Sequence, residues 1–359
     1  MKKSLIGILS MVLVVALLAG CAPKQQAPSD GGSDGGNTPK EEKRTLVVSH
    51  FGLSEDKQWE LILKPFEEKF NAEVVLEIGN NAERLTKIKS NPNTDVDVIF
   101  LAQSFAQEGW DDGVFEKLDY SKIPNSEFLN DKVKFLVEEG QGPAYAVNRA
   151  GIIYNKAAVD FEINSYKDLW RPELKGKIAI PQLTTTFGPS MMYAATTKSG
   201  VDFTEDNGES AFKALEELKP NIAKVYDKSS DLMNLMETGE IVAALGADFI
   251  YSRMASNPDI VFVDPEEGSY LNFNTVNIVK SSDQKELAYE FINYLISEET
   301  QLRATEIPDA PVNTNVELTE EVSKNMTYGE DINKGNIMDF KVINTMMDDW
   351  VNQWNRTLN

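Results

Sequence analysis

The sequence predicts a two-lobed α/β protein, and three observations carry that expectation. Short apolar, β-rich runs alternate with stretches of helical spacing along most of the chain, the pattern of parallel sheets covered by helices. The part able to fold, residues 44–359, is longer than one ordinary domain and apolar enough to fill more than one core. Two extended apolar passages, near residues 145–155 and 275–279, fall where the chain must leave the first half and return to it, which predicts a hinge of two strands.

The elements follow in order. Residues 45–51 (TLVVSHF) read as a strand. Residues 59–70 place Trp59, Ile62, Leu63, Phe66 and Phe70 on one helical face. A second strand is predicted over 73–78, a helix over 83–88 and a third strand over 96–101. Gly142-Pro143-Ala144 then leads into the extended passage that ends at Asn155. Residues 177–181 form a strand bounded by a turn at Gly176, and the loop QLTTTFGPS (182–190) precedes a helix over 191–197. Strands over 241–246 and 260–263 flank a helix that starts near Asp248, and 275–279 is a further strand. Residues 287–295 are strongly periodic, and 342–354 make a closing amphipathic helix whose Met346, Met347, Trp350 and Trp354 belong to core.

The N-terminal end reads differently. Lys2 and Lys3 precede an apolar run over 5–18 and then Leu18-Ala19-Gly20-Cys21, the layout of an export signal. The run is shorter than the roughly 20 residues a bilayer-spanning helix needs. It resembles the lipobox of bacterial lipoproteins, which implies cleavage before Cys21, a diacylglycerol thioether on its sulfur, and a lipid anchor on the extracytoplasmic face of the cell membrane. Residues 21–43, rich in Gly, Pro, Ser and charge, read as a flexible tether.

Composition excludes several functions. With 57 acidic against 35 basic residues and a net charge of −22, a nucleic-acid-binding body is not expected. One histidine, one cysteine and no Gly-rich phosphate loop leave few parts for a catalytic centre or a metal site, so no enzyme activity, cofactor or metal is expected.

In open α/β sheets ligands sit beyond the carboxyl ends of strands. That logic selects His50 after the first strand, and Gln103 and Ser104 after the third. His50 either contacts a solute or packs in the core. Thr184, Thr185 and Thr186, with Gly188 and Pro189 at a helix start, offer hydroxyls and backbone N–H groups to an anion, or serve as helix caps. Arg149 adds a bidentate donor if it faces inward. Asp248 answers an amino group or caps its helix, and Asn272, Asn274 and Asn313 are amide contacts at the crossings.

Several segments together resemble a known family. They are KPFEEKF (64–70), DVDVI (95–99), GIIYN (151–155), SYKDLWRPELKGKI (165–178) and AYEFINYL (288–295). The chain is identified by them as similar to the extracellular solute-binding lipoproteins of ATP-driven importers, in the branch with polyamine-, ferric-, thiamine- and phosphonate-binding members. The resemblance implies a type II periplasmic-binding-protein fold with two hinge crossings, a monomer that closes on a small solute, and a membrane permease as partner. It also implies lobe one at 44–145 with 275–316, lobe two at 146–274, and a C-terminal helical segment at 317–359 packed on both.

Polyamine-binding members use carboxylates and stacked aromatic rings. This chain instead has QLTTT at 182–186, Leu245, and Asn272-Phe273-Asn274 at the corresponding places. A small polar solute, anionic or zwitterionic, is therefore favoured, with a polyamine or thiamine-type cation as the alternative and a lipid-anchored hydrolase or a sensor as alternatives of another class.

Overall fold

The structure, a computed structural model, describes residues 43–52, 55–307, 309–324 and 326–358. The export signal, Cys21 and nearly all of the tether lie outside the described residues.

Ten strands are described: β1 Arg44–His50, β2 Ala72–Ile78, β3 Val98–Ala102, β4 Ala144–Asn155, β5 Ile178–Pro181, β6 Ile222–Tyr226, β7 Ala243–Ala247, β8 Ile260–Val263, β9 Tyr270–Ile278 and β10 Asn336–Ile337. They join in the order β2-β1-β3-β9-β4-β7-β5-β6, with β10 on β9 and β8 on β4. The β-α-β units behave as expected, since β1 runs parallel to β2 and β3, and β5 parallel to β6 and β7. The sheet is nevertheless mixed rather than parallel throughout. β9 runs antiparallel to β3 and to β4, and β4 antiparallel to β7 and β8. The reason is topological: a chain that leaves one half along β4 must come back along β9 in the opposite sense.

These two strands carry the division of the core. Ala144, Ala146 and Val147 of β4 pack with Leu46, Val48, Phe66 and Phe291, whereas Ala150, Ile152 and Ile153 pack with Ile178, Ile180, Met191 and Phe212. On β9 the change falls between Tyr270 and Leu271. β4 is covered on both faces for almost its whole length, which is why AYAVNRAGIIYN shows no polar-apolar alternation.

Several helices differ from their predicted bounds for local reasons. The segment expected as one helix from Trp59 is Glu55–Gln58, a π-helical turn Trp59–Leu63 and Lys64–Phe70, ended by Asn71 at a φ of 47°. The helix Asn81–Ser90 is set by a reciprocal capping box of Asn80 with Glu83. The helix Phe340–Leu358 buries Phe340, Ile343, Trp350 and Trp354 along one stripe, and the Trp350 indole N–H donates to the Asn207 carbonyl at 2.9 Å. β6 and the helices Gln103–Asp111, Glu209–Leu218 and Ser229–Glu237 are findings that the sequence reading did not make. Among the described residues no helix is long and apolar enough to cross a membrane.

Candidate functional site

A cavity of about 200 Å³ opens where the ends of β1 and β3 meet the crossing strands and the helix starts of the second core. His50 and Phe51 reach it from the end of β1, Ala102 from the end of β3, and Asn81 from the first residue of its helix. Tyr145 and Asn148 come from β4, and Asn272 and Asn274 from β9. Thr186 and Phe187 lie in the loop before the helix Gly188–Ser199, and Phe249 in the first turn of Asp248–Met254. Gln58, Ile307 and Asp309 complete the lining.

The amides are ordered by strand register. Asn148 faces Asn272 and Ala146 faces Asn274 across the β4–β9 pair. The Asn272 amide N–H donates to Asn274 Oδ1 at 3.1 Å, and that of Asn274 to Asn148 Oδ1 at 2.8 Å. Asn272 Oδ1, at the head of this chain, is buried and has no hydrogen-bond partner among the described residues.

Two titratable groups line the cavity. His50 is 5% exposed and lies edge-on to Phe100, 4.4 Å between ring centroids. Its Nδ1 sits 2.7 Å from the Phe51 carbonyl, which can only accept, so Nδ1 carries the proton and Nε2 is an acceptor. Burial lowers the imidazole to about 4, which keeps it neutral near pH 7. Among the described residues Asp309 accepts one hydrogen bond, from the Gln58 amide at 3.4 Å, and burial pushes its carboxyl up to about 6. Behind the cavity the Arg84 guanidinium donates to the carbonyls of Gly79, Ser49 and Phe100, and stacks 4.7 Å from the Phe51 ring centroid. It ties the ends of β1 and β3 together without itself lining the cavity.

The residues singled out in the sequence divide into two groups. His50, Thr186, Asn272 and Asn274 are brought together in this cavity. Gln103 opens its helix beside Ala102, buried with Oε1 unpartnered among the described residues, and the backbone carbonyl of Ser104 accepts from Asn344. Thr184 is exposed, and the Thr185 hydroxyl donates to the Gln182 carbonyl. Asn313 is buried in the first half, its amide on the Ile296 carbonyl.

Three expectations need correction. The threonines do not cap the following helix: its N-cap is Phe187, with no side-chain cap, and Gly188 and Pro189 already lie inside it. Glycine is required there, because a Cβ on Gly188 would stand 2.1 Å from the Leu183 carbonyl oxygen. Asp248 is not an N-cap either, since Ala247 holds that position. Its carboxylate accepts from the Phe249 N–H and the Thr327 hydroxyl and borders a second cavity, of about 270 Å³, that shares Asn148 and Phe249 with the first. Finally, Arg149 does not line the first cavity. It follows Asn148 on a strand, so it points to the opposite face. There it meets Asp264 at 2.7 Å, Asp331 at 3.2 Å and Thr327 Oγ1 at 3.1 Å.

Sequence reasoning missed Gln58, Asn81, Tyr145, Asn148, Phe187, Phe249 and Asp309. Strand-end logic was in principle able to find Phe249, next to the Asp248 it did select, and Asn81, just beyond β2. Gln58 and Asp309 come from loop and helix positions with no pattern to mark them.

The chain belongs to the family described as bacterial extracellular solute-binding protein, which its residues 62–329 match. A crystal structure of an ABC transporter from Clostridium perfringens ATCC 13124 superimposes with a TM-score of 0.81 at 53% identity, covering 88% of this chain and 100% of that one. The chain is 29% identical over 283 residues to the putrescine-binding periplasmic protein of Pseudomonas aeruginosa, covering 73% of this chain and 77% of the relative. It is 25% identical over 341 residues to iron uptake protein A1 of Synechocystis, covering 89% and 88%. Among the described residues no group of three or more His, Cys, Asp or Glu side chains is placed to hold a metal ion.

Proposed function

We propose that this family member is the solute-binding component of an ABC importer, which captures a small polar organic solute between two lobes and hands it to a membrane permease. One observation carries this reading: the amide- and aromatic-lined cavity lies on β4 and β9, the two strands along which core residues change from one half to the other. A ligand there touches both halves at once, so closing the halves on it is favoured by the added contacts. The Clostridium perfringens relative, an ABC transporter by its title, supports the same reading. We assign residues 44–147 and 271–316 to one lobe, 148–270 to the other, and 317–359 to a segment packed on both, so that the crossings lie a few residues from the 145/146 and 274/275 bounds expected from the sequence.

The solute is zwitterionic or anionic in this reading. The helices Asn81–Ser90, Gln103–Asp111 and Gly188–Ser199 all begin at the cavity or beside it, and the positive ends of their dipoles favour an anionic end. Cys21 anchors the mature chain to the outer face of the cell membrane through a thioether-linked diacylglycerol, as its lipobox implies. Replacing Cys21 by Ala is expected to release the protein from the membrane fraction into the medium, and unchanged membrane retention would remove the anchor.

The test of the function is a thermal-shift screen of the soluble body, residues 44–359, against amino acids, phosphonates, sulfonates, polyamines and thiamine. A true ligand at 100 times its dissociation constant adds about 2.7 kcal/mol of stability, a clear rise in Tm. A screen in which no small solute raises Tm contradicts the reading.

A further inference from the structure

Arg84 is a buried cation that pairs with no carboxylate among the described residues. It is 5% exposed, and its guanidinium donates to the carbonyls of Gly79, Ser49 and Phe100 and to Asn81 Oδ1. None of these partners carries a charge. The adjacent carboxylate, Glu83, is turned to the Asn80 N–H in the capping box. Asp309, the one carboxylate in the cavity lining, owes its acidity to burial and to Gln58, with no contribution from Arg84. An arginine this deeply buried is as a rule paired with an anion, because an uncompensated charge in a low-dielectric interior is costly.

The charge acts on the cavity side. It adds to the lowering of His50 and opposes the raising of Tyr145, and both of those residues line the cavity. Its most direct route runs through Asn81, a half-buried member of the same lining. Asn81 Oδ1 accepts from Arg84 Nη2 and from the Ala102 backbone N–H, each at 3.3 Å. Both of those groups can only donate, so the amide oxygen is fixed on their side and Nδ2 is left as the donor. A guanidinium bound to the oxygen polarises the amide and strengthens that donor. The positive end of the helix Asn81–Ser90 falls at the same residue.

We propose that Arg84 is a positioning residue for solute specificity: it holds the Asn81 amide with Nδ2–H free for the solute and gives that wall a positive potential, so that a carboxylate, phosphonate or sulfonate oxygen is selected there. The solute's anionic group is then the missing counter-ion, met by Asn81 and felt by Arg84 without contact. This inference rests on the reading of the cavity as the solute site and assigns the residues that read the charge.

The experiment compares carboxylates with their uncharged amides: glycine with glycinamide, 4-aminobutyrate with 4-aminobutyramide, and butyrate with butyramide. Binding to the soluble body is measured by calorimetry at pH 7.5. The carboxylate of a binding pair is expected to be tighter by about tenfold or more, the scale of one charged hydrogen bond. Asn81→Asp, close to isosteric, supplies Arg84 with a carboxylate and puts an acid in the first turn of a helix. It is expected to melt at or above the wild-type temperature while losing the preference for the carboxylate. A residue with only a structural role would not separate stability from selectivity in this way. Arg84→Gln removes the charge and keeps a donating amide, and it is expected to lower the same preference with Asn81 intact. Should Arg84→Gln fail to fold, Asn81→Asp decides the matter. Equal wild-type affinity for both members of a pair overturns the proposal while leaving a solute-binding function standing, and so does an undiminished preference or a lower melting temperature in Asn81→Asp. Binding by no member of any pair overturns the solute-site reading, and the proposal with it.

Discussion

Asp248 and Asp309 border neighbouring cavities, and burial pushes each carboxyl up to about 6, yet they are partnered very differently. Asp248 accepts from the Thr327 hydroxyl and the Phe249 N–H, and Arg149 lies close enough to favour its charge. Arg149 also holds Asp264, Asp331 and Thr327, so this carboxylate is one member of a satisfied network that ties α/β elements to the C-terminal segment. Among the described residues Asp309 has one amide partner, at 3.4 Å. The same shift in acidity thus marks a strut in one place and a sparsely partnered carboxylate on the cavity wall in the other. Acidity alone does not separate the two, and the count of partners does.

The largest effect expected from breaking this contrast is on the strut. Arg149→Met leaves Asp264 and Asp331 without their cation and removes the charge that favours ionised Asp248. A loss of about 3 kcal/mol is expected, read as a lower urea midpoint with little change in ligand selectivity. A smaller loss, about 1–2 kcal/mol, is expected for Thr327→Val, which deletes the hydroxyl that bridges Asp248 and Arg149.

The pH dependence sharpens the comparison further. Asp248 and Asp309, raised from 3.8 to about 6, bind protons more readily folded than unfolded, so each makes stability fall as pH rises from about 4 to 6. His50, lowered from 6.5 to about 4, acts in the opposite sense, and its contribution is lost as pH falls from 6.5 to 4. Asp309→Asn removes one of the two falling contributions. Denaturation series at pH 4, 5 and 6 are therefore expected to give the variant a more positive slope of stability against pH than wild type, and parallel slopes would contradict the account. The smallest effect belongs to the surface pair of Lys341 with Glu139 at 2.5 Å, which links the C-terminal helix to the first half. Lys341→Ala should change stability by no more than about 0.5 kcal/mol.

Much of this fold was legible because its signals are local. β1, β2, β3, β5 and β8 are short apolar runs bounded by turn residues, and the helix Lys285–Leu295 repeats its apolar face strictly. The antiparallel sense of β9 was not legible, because direction within a sheet depends on which distant strand lies alongside. β6 was missed for a different reason: it is an edge strand, with Ala223 and Lys224 exposed, so its apolar run is too weak to stand out.

The site was legible only where it sits at strand ends. His50 follows β1, and Asn272 and Asn274 were found on a crossing strand. Asn148 and Arg149 show the limit of that logic. They are adjacent in sequence, only the pleat of β4 decides which faces the cleft, and reading that pleat requires the register with β9. Arg149 carried the more obvious chemistry and points away, while Asn148 closes the amide chain. Asp309 had no signal of any kind, since it stands in a loop and answers to Gln58 from a helix 251 residues distant.

The most direct test of the central claim, that the cavity on β4 and β9 takes one small solute, is native mass spectrometry of the protein purified without dialysis from its own cells. The account predicts a single noncovalent adduct on the wild-type chain at a one-to-one ratio, retained by Arg149→Met and lost from the double variant Asn272→Leu with Asp309→Asn. An adduct retained by that double variant, or a wild-type chain that carries no adduct, would contradict it.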